Sequence, residues 1–479
     1  MRRYFILSIL ILGTGACAIQ AQTYTNLYSF SLYSGYPPAN TDGALPQGGL
    51  VITNGIVYGT TDEGGSNGVG TVFAVHADGS GFASVLHTFG ALYPGAGGTN
   101  ADGANPHGNL TLVNGALYGT TYFGGFSGAG TLFRVNLDGS GFTNLHNFSR
   151  GADGADPNGG LILASNYLYG TAAYGGNSYG YGSIYRINTN GSSFTNLYGF
   201  SGLTDGALPE GNLLLSGSTL YGTCSGGGAH GSGDIFSIGI DGKNFSPFYS
   251  FDSAPTGNPR TNLTGAFPQA ALILVNGMLY CTTQLGGTNG TGSIFAVQPG
   301  GSGFANLHSF APGHGNGNGI FTNLDGVYPL CTLTLANGAL YGTTQQGGSE
   351  GVGAIFSIQP DGTGFTNLYT FVGIVAPPTY FNTGGAEPDA GFLLGSNVLY
   401  GTSSLGGIDG NVFSFTLASA GPPPLTFQRA GAGLTLTWPS GYVLQSTPDL
   451  GLAFSNVTSA ASPYTVTATN AQEYFRLKQ

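Results

Sequence analysis

The chain has 479 residues, 88 of them Gly, with Lys+Arg 10 against Asp+Glu 21 and only 6% charged residues, for a formal net charge of −11. An acidic, sparsely charged chain lacks the clustered Lys and Arg that nucleic acid demands. Glycine without a Gly-X-Y period, beside 12% aromatic residues, excludes collagen and disorder and leaves ample apolar mass for a large core.

Residues 1–21 open with Arg2 and Arg3, continue through the apolar run Tyr4 to Leu12, and end in small residues, Ala16, Ala18 and Ala21. This is the layout of a signal peptide, with cleavage expected after Ala21 or, alternatively, Ala18, and the apolar run is too short to span a bilayer. Cys17 leaves a lipoprotein route open, although Thr14 stands where Leu is usual. No other stretch predicts a transmembrane span, so a secreted or cell-surface protein is expected. The next segment, "TYTNLYSF" at 23–30, nearly duplicates "GFTNLYTF" at 364–371.

From there the string "LYGTT" or a close variant recurs, with its Tyr at 58, 118, 169, 221, 280, 341 and 400. The units open with "DGAxP" or a close variant, with Thr264 and Gly384 in place of the Asp in the fifth and seventh, continue into an apolar run such as "NLTLV", and turn at "NG" or a similar pair. A unit then runs through "LYGTT", a "GG" doublet and a strand such as "GTLFRV", and in all but the seventh it turns at a pair such as "DGSG" and closes with a strand such as "FTNLHNF". Period-two apolar alternation with β-branched and aromatic residues marks strands, and Asn-Gly and Asp-Gly mark hairpins. Four short antiparallel strands repeated seven times, with no helical period, predict an all-β fold, a seven-bladed β-propeller over 22–418. Six closing strands are internal and the seventh unit lacks one. The N-terminal copy, Tyr24 to Phe30, is expected to supply it by pairing with the strand around Asn411 to Leu417, which would also remove an exposed sheet edge.

The repeated motif "DGAxPxGxLxLxNGxLYGTTxxGGxxGxGTxFxxxxDGSGFTNLxxF", covering roughly residues 22 to 417, resembles the Gloeo/Verruco (GloVer) tandem repeat of exported bacterial proteins. The resemblance implies a β-propeller held at the cell by assorted C-terminal anchors, and no particular activity. Pro422-Pro423-Pro424 ends a linker at 419–424. Residues 425–479, with the single Trp438 and alternation in "LTLTW" and "YTVTA", predict a small β module for sorting, anchoring or adhesion, similar to the C-terminal modules of such proteins.

Comparing the units with one another separates architecture from candidate function. His87, His146 and His308 fill the closing-strand slot that is Tyr28, Tyr198, Tyr249 and Tyr369 elsewhere, so they read as packing residues with a polar tip. The "DGAxP" aspartates, Asp42, Asp102, Asp153, Asp205 and Asp325, offer about one carboxylate per loop, against the 6 to 8 oxygens calcium takes, so they read as turn caps. Cys224, Cys281 and Cys331 read as buried small hydrophobes. No metal or other cofactor is called for.

The residue after the proline varies while its neighbours repeat: Gln47, His107, Asn158, Glu210, Gln269, Leu330 and Asp389. These are expected to ring the mouth of the central channel, the six polar ones as ligand-binding candidates. Large length variation falls in the connectors 31–41, 90–101, 252–263, 311–324 and 372–383, which should share a face with the "GG" loops. That face would carry Tyr122, Phe123, Tyr174, Tyr179 and Tyr181 as binding candidates, together with Tyr33, Tyr36, Tyr93, Phe126, Phe321, Tyr380 and Phe381. Aromatic rings among Gly, Ser and Asn suit sugar faces or peptides.

No nucleophile elbow, zinc motif or phosphate-binding Gly loop is present. A Glu210/Asp389 pair assisted by His107 would have to meet across the ring to serve a glycosidase or lyase. The expected function is an extracellular module binding a glycan or protein ligand as a monomer. A structural or adhesion protein is the alternative, and a propeller glycosidase or lyase a further one.

Overall fold

The Asn-Gly pairs act as their conformation dictates. Asn54, Asn114, Asn276 and Asn337 take φ of 48–51° and the glycines that follow 75–82°, the two positive values of a type I′ turn, whose twist matches that of the strands it joins. The computed structural model describes residues 22–35, 38–93, 98–254, 261–315, 321–372 and 382–418, and, beyond these, 426–430, 433–437, 443–447, 455–457, 462–467 and 474–478. The signal-peptide and linker assignments, Tyr36, Tyr380, Phe381 and Trp438 lie outside these residues.

The described residues form no helix, and seven four-stranded antiparallel sheets are present. The first blade runs Val51–Thr53, Ile56–Thr61, Thr71–His76 and Phe82–Thr88 in spatial order, and the second to sixth repeat this order. The seventh runs Leu393–Leu394, Val398–Ser403 and Asn411–Thr416, and its fourth strand is Thr23–Ser29. The chain is therefore a seven-bladed β-propeller closed by its N-terminal segment. Three two-stranded ribbons, for example His314–Gly315 with Phe321–Thr322, decorate the connectors and were not foreseen in the sequence.

The repeat's invariant choices follow from packing. In the second blade, a Cβ on Gly119 of "LYGTT" would lie 2.6 Å from Cζ of Phe133 on the neighbouring strand, which favours Gly there in every blade but the fifth, where Cys281 is fitted instead. A bulge before that Phe, at Leu132/Phe133 and its counterparts in the first and third to sixth blades, bends the outer strand. Phe30, Phe89, Phe148, Phe200, Phe251, Phe310 and Phe371, which end the closing strands, are all fully buried. Cys224, Cys281 and Cys331 are free and buried.

Between blades the closing strands stack ring on ring. His87 on Phe142, His146 on Phe194, Tyr198 on Phe245, Tyr249 on Phe304, His308 on Phe365 and Tyr369 on Tyr24 have centroids 3.5 to 4.4 Å apart and planes within 2–8°. Tyr28 on Phe82 completes the circuit at 4.7 Å. Each His then meets a "DGAxP" carboxylate: His87 Nε2 with Asp102 at 2.9 Å, His146 with Asp153 at 3.2 Å and His308 with Asp325 at 3.0 Å. The same carboxylates accept backbone N–H groups of Gly90, Ser149 and Ala311, which is the turn-capping role. Because Tyr fills the same slot elsewhere, His308→Tyr should leave the melting temperature nearly unchanged. His308→Ala should cost about 2 kcal/mol in urea unfolding, through loss of the stack and of a partner for Asp325.

The C-terminal segment holds two three-stranded sheets, Thr426–Ala430, Gly433–Thr437 and Tyr464–Thr467 in one, and Ser455–Asn456, Val443–Thr447 and Tyr474–Lys478 in the other. Leu436 and Leu444 are buried within it.

Candidate functional site

The first and second strands of each blade are joined, at one end of the ring, to the loops that carry sequence variation. In every blade the residue before the "DGAxP" proline is non-glycine with positive φ: Leu45, Asn105, Asp156, Leu208, Phe267, Tyr328 and Glu387, at 53–59°. A residue preceding proline favours extended backbone, so this left-handed geometry is strained and must be held from outside. Two hydrogen bonds hold it. The N–H of Asn105 donates to the carbonyl of Val69 in the previous blade at 2.9 Å, and its carbonyl accepts from the N–H of Tyr122 at 2.9 Å. Leu45 makes the equivalent pair with Asp409 and Asp62, so the pattern also bridges the seventh and first blades.

An asparagine missed in the sequence fastens the two loop sets together. Asn100 Oδ1 accepts from the N–H groups of Gly103 and Gly125, both at 2.9 Å, while Nδ2 donates to the carbonyls of Gly90 and Gly103. Asn40, Asn262 and Asn323 do the same in their blades. The connectors and "GG" loops thus share one face, braced from below.

The variable residues after the proline, Gln47, His107, Asn158, Glu210, Gln269, Leu330 and Asp389, are all half-buried. Their partners are largely a second ring that sequence comparison overlooked, the residue after "YGTT": Asp62, Tyr122, Ala173, Ser225, Gln284, Gln345 and Ser404. His107 Nε2 lies 2.6 Å from Asp62 Oδ1, and its ring stacks on Tyr122 at 5.2 Å. Gln269 Nε2 donates to Gln284 Oε1 at 3.4 Å. Ser225 stands beside Glu210, and Ser404 and Gln345 beside Asp389; the Ser225 and Ser404 hydroxyls donate to the carbonyls of Leu208 and Glu387 at 3.2 and 2.9 Å.

These contacts set the electrostatics. Burial pushes His107 toward neutrality, but the bond and charge of Asp62, the Asn158 side chain and the Asp389 carboxylate outweigh it and hold the imidazole above its ordinary range. Burial pushes Asp389 up to about 7, reinforced by the charge of the nearby Glu387 and partly offset by Ser404, Gln345 and His107. Burial likewise raises Glu210, with Ser225 partly offsetting it. The groups acting on Glu210 and on Asp389 are different ones. Among the described residues no three His, Cys, Asp or Glu side chains form a metal-binding group.

The loop aromatics are concentrated on two neighbouring blades. Phe123, Phe126, Tyr174, Tyr179 and Tyr181 are 40%, 73%, 42%, 63% and 45% exposed. Tyr122 is half-buried between His107 and Phe123, whose ring meets it edge-on at 4.6 Å. Tyr181 lies over Gly202, where a Cβ would fall 2.4 Å from its ring. Tyr93, on the connector before the second blade, is 72% exposed.

The family model of the Gloeobacter/Verrucomicrobia repeat matches residues 92–267 and 262–428. The chain belongs to that family. The match spans the second to seventh blades of this Gloeobacter/Verrucomicrobia repeat protein, and the first blade repeats their plan. No curated protein matches its sequence. Among solved structures, it is similar to a nidogen/laminin complex at 14% identity and TM-score 0.37, over 61% of this chain and 86% of that one. An oligogalacturonate lyase in complex with manganese aligns at 10% identity and TM-score 0.44, over 84% and 97% of the two chains.

Proposed function

We propose that this repeat propeller is an exported binding module that grips a saccharide on its loop-rich face. The observation that carries the reading is the grouping of solvent-facing rings, Phe123, Phe126, Tyr174, Tyr179 and Tyr181, on the braced "GG" loops of two adjacent blades. Exposed aromatic planes on a backbone that is already fixed bind sugar faces with little ordering cost. The half-buried polar ring beside them supplies hydrogen-bond donors and acceptors for hydroxyl groups. The leader-like residues 1–21 fit delivery to the cell exterior.

A glycan array probed with the full chain tests this. Binding should fall about tenfold or more in a Tyr174→Ala, Tyr179→Ala double variant, roughly the contribution of two stacking rings. Its melting temperature should stay unchanged, because both rings face solvent. Failure of the chain to bind any saccharide would remove the reading.

A further inference from the structure

One position recurs around the loop-rich face with the same backbone pairing and a different side chain in almost every blade. Phe123 exchanges main-chain hydrogen bonds with Ala104 at 2.8 and 3.0 Å, and Tyr174 with Ala155 at 2.8 and 3.1 Å. The pairing recurs at Glu63, Gly226, Leu285, Gln346 and Leu405 in the other blades. Two backbone bonds fix the point from which each of these side chains leaves the chain, so a ring placed there is held before any ligand arrives. Only the second and third blades place an aromatic ring at this position, and Phe123 and Tyr174 are 40% and 42% exposed.

The separation of the two rings is fixed by backbone as well. The N–H of Asp156 in the third blade donates to the carbonyl of Ala129 in the second at 2.8 Å, and the Asp156 carbonyl accepts from the N–H of Ala173, next to Tyr174, at 3.3 Å. Phe123 leans edge-on against Tyr122 rather than against Tyr174. Equivalent positions in adjacent blades are related by a rotation of about one-seventh of a turn, so they offer two successive surfaces to one ligand and not the two sides of a sandwich. In the fourth blade the position is Gly226, where a Cβ would have Leu208 Cδ1 as its nearest atom, at an ordinary 3.7 Å. The row of rings therefore stops for lack of a side chain, not for lack of space.

We propose that the bound saccharide is a linear chain lying lengthwise around the ring, with separate sugar units on Phe123 and Tyr174. The inference rests on the saccharide reading and narrows it to flat-faced chains bound along their length, as against a single sugar or a chain end.

Calorimetric titration of the full chain with cellohexaose, xylohexaose, mannohexaose and chitohexaose, and with the monosaccharide of each, tests it. At least one hexamer should bind tenfold or more tightly than its monosaccharide, roughly the effect of a second stacking ring. Phe123→Ala and Tyr174→Ala should each weaken that hexamer about fivefold and the monosaccharide at most about twofold, because a single sugar keeps the other ring. Phe123→Tyr, which puts in the second blade what the third already carries, should bind as the parent chain does and so separates loss of a ring from loss of fold. Gly226→Tyr should extend the row and tighten the hexamer about fivefold, with the monosaccharide nearly unchanged. A hexamer that binds no more tightly than its monosaccharide, or that responds neither to the loss of either ring nor to Gly226→Tyr, overturns the lengthwise chain and leaves the saccharide reading standing. If neither the glycan array nor the calorimeter finds any saccharide bound, the saccharide reading falls and this inference with it.

Discussion

Deleting residues 23–30 should leave a chain that no longer melts as a single cooperative unit, whereas ending the chain after residue 424 should leave the propeller's transition in place. The deleted strand fills the outermost position of the seventh blade, with Leu27 and Phe30 buried there. Tyr24 stacks on Tyr369 of the sixth blade, donates its hydroxyl to the Gly384 carbonyl at 2.6 Å and accepts from Asn411 Nδ2 at 3.0 Å. Tyr28 reaches Asp42 and Phe82 on the other side. Losing the ladder, two buried side chains and both inter-blade stacks removes more than the roughly 5–15 kcal/mol by which a domain is stable. Phe30→Ala alone should cost about 3–5 kcal/mol, and Tyr24→Phe, which keeps the ring and loses two hydrogen bonds, about 1–2 kcal/mol. Calorimetry of the three variants orders them, and a deletion that melts like the intact chain would refute closure.

Asp234→Ser should stabilise the protein at pH 8 by about 2–3 kcal/mol and have little effect at pH 4. Asp234 is fully buried opposite Cys224, at a site where other blades place Thr71, Thr131, Ser183 or Ser293. One oxygen accepts from Ser250, and the other has no hydrogen-bond partner. Burial pushes the carboxyl up to about 6, partly offset by the Ser250 hydrogen bond and reinforced by the charge of Asp205. A carboxyl whose folded value exceeds its unfolded one adds stability that is fully present below the unfolded value, near 4, and lost as pH rises through 6. Asp389, pushed up to about 7, and the raised Glu210 and Glu387 act in the same direction. The native chain should therefore melt higher at pH 5 than at pH 8, and Asp234→Ser should flatten that dependence. A melting temperature that climbs from pH 5 to 8 would contradict the argument.

Blade number and closure were legible because they are written as repetition: the "YGTT" tyrosines count the blades, and a closing segment displaced to the front shows where the ring joins. The caps were legible too, as an Asp recurring before Gly. The strained pre-proline position was not, since Leu45, Asn105, Asp156, Leu208, Phe267, Tyr328 and Glu387 share no chemistry and are alike only in backbone. His107 and Asp62 meet across blades from positions in different columns of the repeat, so aligning units one on another could not pair them. Asp156 was not singled out, because its ion pair depends on where Arg150, six residues before it, reaches in the fold.

The strand Thr23–Ser29 also fixes an order of events. During synthesis it emerges before any blade exists, and its partner Asn411–Thr416 follows almost four hundred residues later. Until then both remain unpaired edges, each complementary to the other on any neighbouring copy. Ring formation is thus a competition between a chain meeting its own end and meeting another's, and crowding of nascent chains tips it toward exchanged oligomers.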